Sequence, residues 1–535
     1  MATLIHELIL DTARRTPDAP ALSWQGEEQG YGALAQSVRD CAAALLALGL
    51  QRGARVAVYL EKRPENVSAM FGAAAAGGVF VPVNPLLKPE QVAYILADCN
   101  VDILVTSRER LAQLGPALAA CPDLRTVLLT GEPAMAGTLG PLRLLSWRAA
   151  LDGARMDASA LAPHRVIDTD MAAILYTSGS TGQPKGVVLS HRNMLAGAAS
   201  VAGYLRNTPE DRILCVLPLS FDYGLSQLTT AFLSGACAVL MNYLLLRDIV
   251  EAVEQEAITG LAAVPPLWVQ LSQLSWPLST PLRYITNSGG VMQRSTLDKL
   301  RLALPRTQVF LMYGLTEAFR STYLAPEQLE RRPDSIGLAI PNAEVLVLRP
   351  DGSVCAPDEP GELVHRGALV ALGYWNDAAR TAERFKPLPP QAGGLVLPEL
   401  AVWSGDTVRR DADGYLYFVG RSDDMIKTSG YRVSPAEIEE VVYASGLVGE
   451  AVALAVPHAV LGHAIALLVT PPPGVEVRRD SVLAACRARL PSYMVPLWVD
   501  IREDALPRNP NGKIDRPLLA RELARAYAVQ SGGAA

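Results

Sequence analysis

The sequence predicts an α/β fold in layers, followed by a β-rich subdomain and a compact α+β unit at the C-terminal end. Three observations carry that expectation. Strand and helix signals alternate from residue 55 onward and do so again from 213 to 312; past about residue 343 short strands separated by turns replace them; and past Arg421 helix and strand signals mix over a short length.

Taken in order, Arg55-Val-Ala-Val-Tyr-Leu60 reads as a strand, residues 64–76 as a helix opened by Pro64, and Val79-Phe-Val-Pro-Val83 as the next strand. A helix at 89–98 and strands at 103–106 and 126–130 continue the pattern. In the second run Cys237-Ala-Val-Leu-Met241, Gly260-Leu-Ala-Ala-Val264 and Val309-Phe-Leu-Met312 are strands, and alternation of this kind implies largely parallel sheets. The β-rich part is built from 345–348, a turn at Asp351-Gly352, 361–366 and 414–419. Pro471-Pro-Pro-Pro-Gly474 is expected to be a loop between a strand and a helix.

The 535 residues exceed what one core usually serves, which predicts at least two compact units. Half of them are hydrophobic and 19% are charged, so a large core is expected and global disorder is excluded. The net charge of −6 is spread along a chain with no basic block, which gives no support to a nucleic-acid partner. Seven scattered cysteines form no CxxC pair, and six histidines form no metal set; free thiols in a reducing, cytoplasmic setting are expected. Met1-Ala-Thr-Leu-Ile-His-Glu lacks a basic start before an apolar stretch, so no signal peptide is expected. The most apolar segment, 70–83, is too short for a membrane span and contains Gly72, Gly77 and Gly78; it is expected to be a buried helix running into a buried strand. No internal repeat and no appended carrier module are evident.

The segment richest in chemistry is Tyr176-Thr-Ser-Gly-Ser-Thr-Gly-Gln-Pro-Lys-Gly186, between the apolar runs 172–175 and 187–189. Hydroxyls, glycines and one lysine in a short loop suit an oxyanion-rich ligand, because glycine lets backbone N–H groups approach phosphate. A Gly-Lys-Ser/Thr ending is absent, so it is not a Walker A loop.

This loop closely resembles the phosphate loop of the adenylate-forming superfamily, which includes acyl-CoA synthetases, amino-acid adenylation domains of peptide synthetases and firefly luciferase. Further blocks follow in family order across nearly the whole chain: Met312-Tyr-Gly-Leu-Thr-Glu317, Gly361-Glu-Leu-Val-His-Arg-Gly367, Gly373-Tyr374-Trp375, Trp403-Ser-Gly-Asp406, Gly414-Tyr-Leu-Tyr-Phe-Val-Gly-Arg-Ser-Asp-Asp424, Ile426-Lys-Thr-Ser-Gly430, Val433-Ser-Pro-Ala-Glu-Ile-Glu439 and Asn511-Gly-Lys-Ile-Asp515. The resemblance implies a large N-terminal domain, 1–422, of two αβ-layered subdomains plus the β-rich one. A small mobile C-terminal domain, 423–535, would swing between two half-reactions.

It also implies roles. Thr177, Ser178, Gly179, Ser180, Thr181, Gly182 and Lys185 would hold the β- and γ-phosphates of ATP. Thr316 would meet the α-phosphate, and Glu317 would offer Mg²⁺ a hard oxygen. Tyr313 and Gly314 would lie against adenine, Ser288, Gly289 and Gly290 against adenine and the reacting carboxylate, and Asp406 and Arg421 at the ribose. Lys513 is the catalytic candidate: a carboxylate attacking the α-phosphorus brings two anions together, and an ammonium between them lowers the barrier. Asp423 falls at the family's hinge, which would exchange Lys513 for a face carrying Lys427 and Gly430 during transfer to a thiol.

The expected acyl pocket comprises Phe221, Asp222, Tyr223, Ser226, Ala263, Asn287, Met312, Arg320 and Ser321. Leu217-Pro-Leu-Ser-Phe-Asp222 resembles the element in which amino-acid adenylation domains set an aspartate on the substrate ammonium, which favours an amino acid. Arg320 needs a partner if buried: either a second carboxylate on the substrate, or Asp222 itself, with the latter preferred. Segments 221–228 and 316–324 resemble stand-alone bacterial ligases, including acyl-CoA ligases associated with exosortase systems. The acceptor would be CoA or the phosphopantetheine of a separate carrier protein. The alternatives are an acyl-CoA synthetase for a non-amino, possibly dicarboxylic, acid, and an inactive homologue acting as a binding protein; the latter should have lost Lys513, Glu317, Asp406 or the loop hydroxyls, and all are present.

Overall fold

The computed structural model describes the chain except residues 1, 132–136, 157–161, 178–183, 278, 291, 293, 390–398, 422–425, 434, 473, 508–513 and 532–535. It is a mixed α/β protein with a large N-terminal domain built on two sheets and a small C-terminal domain built on a third. Among the described residues the first sheet has 14 strands. Its parallel part runs through Pro20–Trp24, Cys237–Leu240, Arg212–Cys215, Gly260–Ala263, Tyr284–Asn287 and Gln308–Tyr313. The 9-stranded sheet has Arg55–Tyr59, Val79–Pro82, Val101–Ser107 and Thr126–Thr130 as its parallel centre, and Met171–Thr177 and Lys185–Ser190 as an antiparallel pair toward one edge.

The helix Pro64–Ala76 shows why the early elements were legible. Proline and Glu65 begin it, Gly77 at φ +88° ends it, and nearly every residue between is buried. It runs into the fully buried strand Val79–Pro82, as expected for the apolar segment. A Cβ at Gly77 would lie 2.7 Å from His164, so only glycine fits that stop.

The β-rich strands expected past residue 343 are present, and they continue the first sheet rather than forming one of their own. Ser335–Ala339 pairs Thr322–Leu324 at one end and Leu416–Arg421 at the other, so Ala343–Leu348, Gly361–Gly367 and Leu400–Arg410 continue the first sheet as an antiparallel extension. The change of partner occurs at Gly337, where φ is +88° and a Cβ would overlap the Tyr323 carbonyl oxygen. The third sheet comprises Ile426–Thr428, Tyr431–Val433, Glu450–His458, Gly462–Thr470 and Trp498–Ile501, covered by helices Pro435–Ala444 and Arg479–Arg489. The proline patch joins Gly462–Thr470 to Arg479–Arg489, as expected. All seven cysteines are buried and free. Among the described residues no helix is long and apolar enough to cross a membrane.

Burial holds three imidazoles neutral: His6, His191 and His365 are each pushed down to about 4 by desolvation. Unfolded histidine takes a proton below about 6.5, whereas these do not until about 4, so their contribution to stability is lost as pH falls through that window. At roughly 1.4 kcal/mol per pKa unit the three together amount to on the order of 5 kcal/mol at pH 5. The urea unfolding midpoint is expected to fall clearly between pH 7 and pH 5; an unchanged midpoint would show that the imidazoles titrate normally.

Candidate functional site

Between the two large sheets and the C-terminal lobe lies a cavity of about 680 Å³. One wall is the switch from strand Arg212–Cys215 into helix Asp222–Ser234, which presents Phe221, Asp222 and Tyr223. A second is the end of Tyr284–Asn287, giving Ser288 and Gly289, and a third the end of Gln308–Tyr313, giving Gly314 and Thr316. These parallel strands stop side by side, so their carboxyl ends open into one crevice, the usual place for a ligand in an α/β sheet. Asp406 and Thr177 complete that side. The C-terminal lobe contributes Lys427, Gly430, Tyr431 and Tyr493.

Thr177 and Lys185 face each other across the antiparallel pair Met171–Thr177 and Lys185–Ser190. The sequence between them connects that pair; Ser178, Gly179, Ser180, Thr181 and Gly182 lie outside the described residues. Thr177 Oγ1 is buried with no hydrogen-bond partner among the described residues. Lys185 Nζ donates to Glu317 Oε1 at 3.0 Å and to Tyr374 Oη at 2.7 Å, and sits 4.2 Å from the Tyr374 ring centre. Tyr374 Oη in turn donates to Glu317 Oε1 at 2.7 Å. Glu317 is therefore a buried carboxylate already held by a cation.

Tyr313 is buried in the main core rather than on the cavity wall, and its hydroxyl donates to Asp406 Oδ2 at 2.5 Å. The Tyr313 hydroxyl thus holds Asp406, which lines the cavity together with Gly314. Asp406 is itself 3% exposed and stands opposite Arg421 in register. Gly290 lies beyond Gly289, and its carbonyl accepts from Asn287 Nδ2 at 3.0 Å. Asp423 and Lys513 lie outside the described residues.

Of the nine residues expected in the acyl pocket, Phe221, Asp222, Tyr223 and Arg320 line the cavity. Ser226, Ala263, Asn287, Met312 and Ser321 are not part of its lining. Each of the five is buried, and each stands close along the chain to a residue that does line it. Met312 accepts from Tyr204 Oη at 2.9 Å, and Ser321 Oγ is 2.8 Å from His365 Nδ1. Arg320 Nη1 donates to Asp222 Oδ2 at 3.4 Å, the pairing preferred from the sequence.

The lobe docks through Gly430. Its φ is +81°, and a Cβ there would lie 2.7–2.8 Å from Val264; the Gly430 carbonyl oxygen approaches Gly289. Tyr431 stacks on Tyr493 at 3.6 Å and 11° and meets Phe221 edge-on at 5.0 Å. Lys427 Nζ lies 5.1 Å from the Phe418 ring centre. Sequence reasoning missed Tyr374, Tyr431 and Tyr493 as site residues. Tyr374 stood within a recognisable Gly-Tyr-Trp block, whereas nothing around Tyr493 marks it. It also missed Lys62, which lines the cavity, donates to the Val216 carbonyl at 3.0 Å and is pushed down to about 8 by burial.

The model of the AMP-binding enzyme family matches residues 9–375, and that of the AMP-binding enzyme C-terminal domain matches 437–513. The L-proline–[L-prolyl-carrier protein] ligase of Pseudomonas fluorescens is 32% identical over 537 residues, covering 97% of this chain and 99% of that protein. A linear gramicidin synthase of Brevibacillus parabrevis is 30% identical over 96% of this chain, which spans only 6% of that far longer protein. Among solved structures, a variant of the o-succinylbenzoate CoA synthetase of Bacillus subtilis bound with a product analogue aligns with a TM-score of 0.81 at 25% identity, covering 96% of this chain and 98% of that one.

Proposed function

As this chain belongs to the AMP-binding enzyme family, we propose that it is an AMP-forming acid–thiol ligase that activates an amino acid and passes its acyl group to the thiol of CoA or of a separate carrier protein. The observation that carries the proposal is the cavity into which Asp222, Ser288, Thr316 and Asp406 all open while the C-terminal lobe closes it with Gly430. The proline–carrier ligase resemblance supports an amino acid and an acceptor thiol supplied by another protein.

In the first half-reaction a carboxylate oxygen of the acid bonds to the α-phosphorus of ATP, and pyrophosphate leaves. Loop 177–185 is proposed to hold the departing phosphates, with Lys185 transferring from Glu317 to them. Glu317 would hold Mg²⁺, which supplies charge neutralisation between the phosphates. Thr316 would donate to an α-phosphate oxygen. Asp406, oriented by Tyr313, would accept from the ribose, with Arg421 beside it. Lys513 would bridge the attacking and leaving groups. In the second half-reaction a thiolate sulfur attacks the acyl carbonyl carbon and AMP leaves with the bonding electrons. We place the boundary between the two parts at residues 422 and 423, with Asp423 as the hinge. Buried free cysteines support a reducing, cytoplasmic setting.

The test is product analysis. ATP, an acid and a thiol acceptor should yield AMP, pyrophosphate and a thioester, and release of ADP instead would refute the proposal. Asp222→Ala is expected to raise KM for an amino acid about 10–100-fold, the loss of one charge-assisted contact, with little effect on kcat. An unchanged KM would show that no ammonium is read there.

A further inference from the structure

Arg320 is 2% exposed, yet its only ion pair among the described residues is one Nη1 contact to Asp222 Oδ2 at 3.4 Å. Its Nε and Nη2 are buried with no hydrogen-bond partner among the described residues. The Tyr223 ring covers one face, with its centre 4.8 Å from Cζ, but a ring face accepts nothing from the guanidinium edge. A buried guanidinium with two nitrogens unmet is costly, and the group that best satisfies such an edge is a carboxylate accepting two parallel hydrogen bonds. Arg320 lines the same cavity as Ser288 and Thr316, where the reacting carboxylate is proposed to lie, so the missing acceptor belongs to the same ligand.

We propose that the acyl pocket selects an amino acid whose side chain ends in a carboxylate, held by Arg320, while Asp222 holds the ammonium; this rests on the amino-acid reading above. Charge balance separates this ligand from the two simpler ones. Asp222 and Arg320 together are neutral. A neutral amino acid brings one cation to Asp222, draws it from Arg320 and leaves a bare guanidinium. A dicarboxylic acid without an amine draws Arg320 from Asp222 and brings no cation in exchange. An acidic amino acid brings one charge of each sign and matches both residues. The pair's own contact at 3.4 Å requires the ligand's two charges to lie close together as well, which points to one or two methylenes between the α-carbon and the carboxylate.

Pyrophosphate exchange by the full chain tests this with aspartate, glutamate, their amides, succinate, glutarate, proline and leucine. The kcat/KM for aspartate or glutamate is expected to exceed that of the matching amide and of the matching amine-free diacid by at least about 100-fold. R320Q is expected to reduce the acid-to-amide ratio below about 10-fold. Preference for a neutral amino acid or an amine-free diacid overturns the proposal while leaving adenylation intact. Silence with every acid overturns the ligase reading and this one with it. A folded R320Q that keeps the acid preference also overturns it, and should R320Q fail to fold, the wild-type ratios decide alone.

Discussion

Lys513→Ala is expected to lower pyrophosphate exchange about 10²–10³-fold, the cost typical of removing one preorganised donor from a developing oxyanion. Transfer of the acyl group from supplied acyl-adenylate to a thiol is expected to remain largely intact. The reasoning is electrostatic: the acid and the α-phosphate are both anionic, and charge builds on the bridging and non-bridging oxygens as the bond forms. Thioester formation needs no such bridge, because the adenylate is already made. The C-terminal lobe presents Gly430 and Tyr431 to the cavity, so the face proposed for transfer is already seated. Equal loss of both half-reactions in Lys513→Ala would refute this division.

Gly430→Leu is expected to do the reverse, lowering thioester formation by about 10² or more in single turnover while pyrophosphate exchange stays within a few-fold of the parent. Two costs add. A side chain at φ +81° carries roughly 1–2 kcal/mol of strain, and its first carbon would lie 2.7–2.8 Å from the half-buried Val264, closer than packed carbons approach. Several kcal/mol against the docked arrangement moves its population by two or more powers of ten. Val264→Gly in the same chain should restore part of the loss. Equal damage to both half-reactions would show that Gly430 serves the stability of the lobe rather than its seating.

The parallel elements were legible because burial on both faces writes them as apolar runs, and helices such as Pro64–Ala76 carry their own start and stop. What could not be read was pairing. Whether Ser335–Ala339 joins the β-rich strands to the first sheet depends on contacts distant along the chain, and only Gly337 hints at it. At the site, residues that meet ligands through loops were visible as blocks. Tyr313 and Asp406 were both singled out, but their contact with each other spans 93 positions and has no local signature. The pocket wall shows the same limit: Ser226 and Met312 lie on elements that reach the opening, yet they are buried and do not line it.

The aromatic contact between Phe221 and Tyr431 has one more consequence. Phe221 precedes the residue proposed to grip the ammonium, whereas Tyr431 belongs to the lobe proposed to swing, so a poorly seated acid that nudges the first displaces the second. Such an acid would be screened twice, at loading and again when the lid tries to latch. Fidelity in the finished thioester should therefore surpass the fidelity of activation alone.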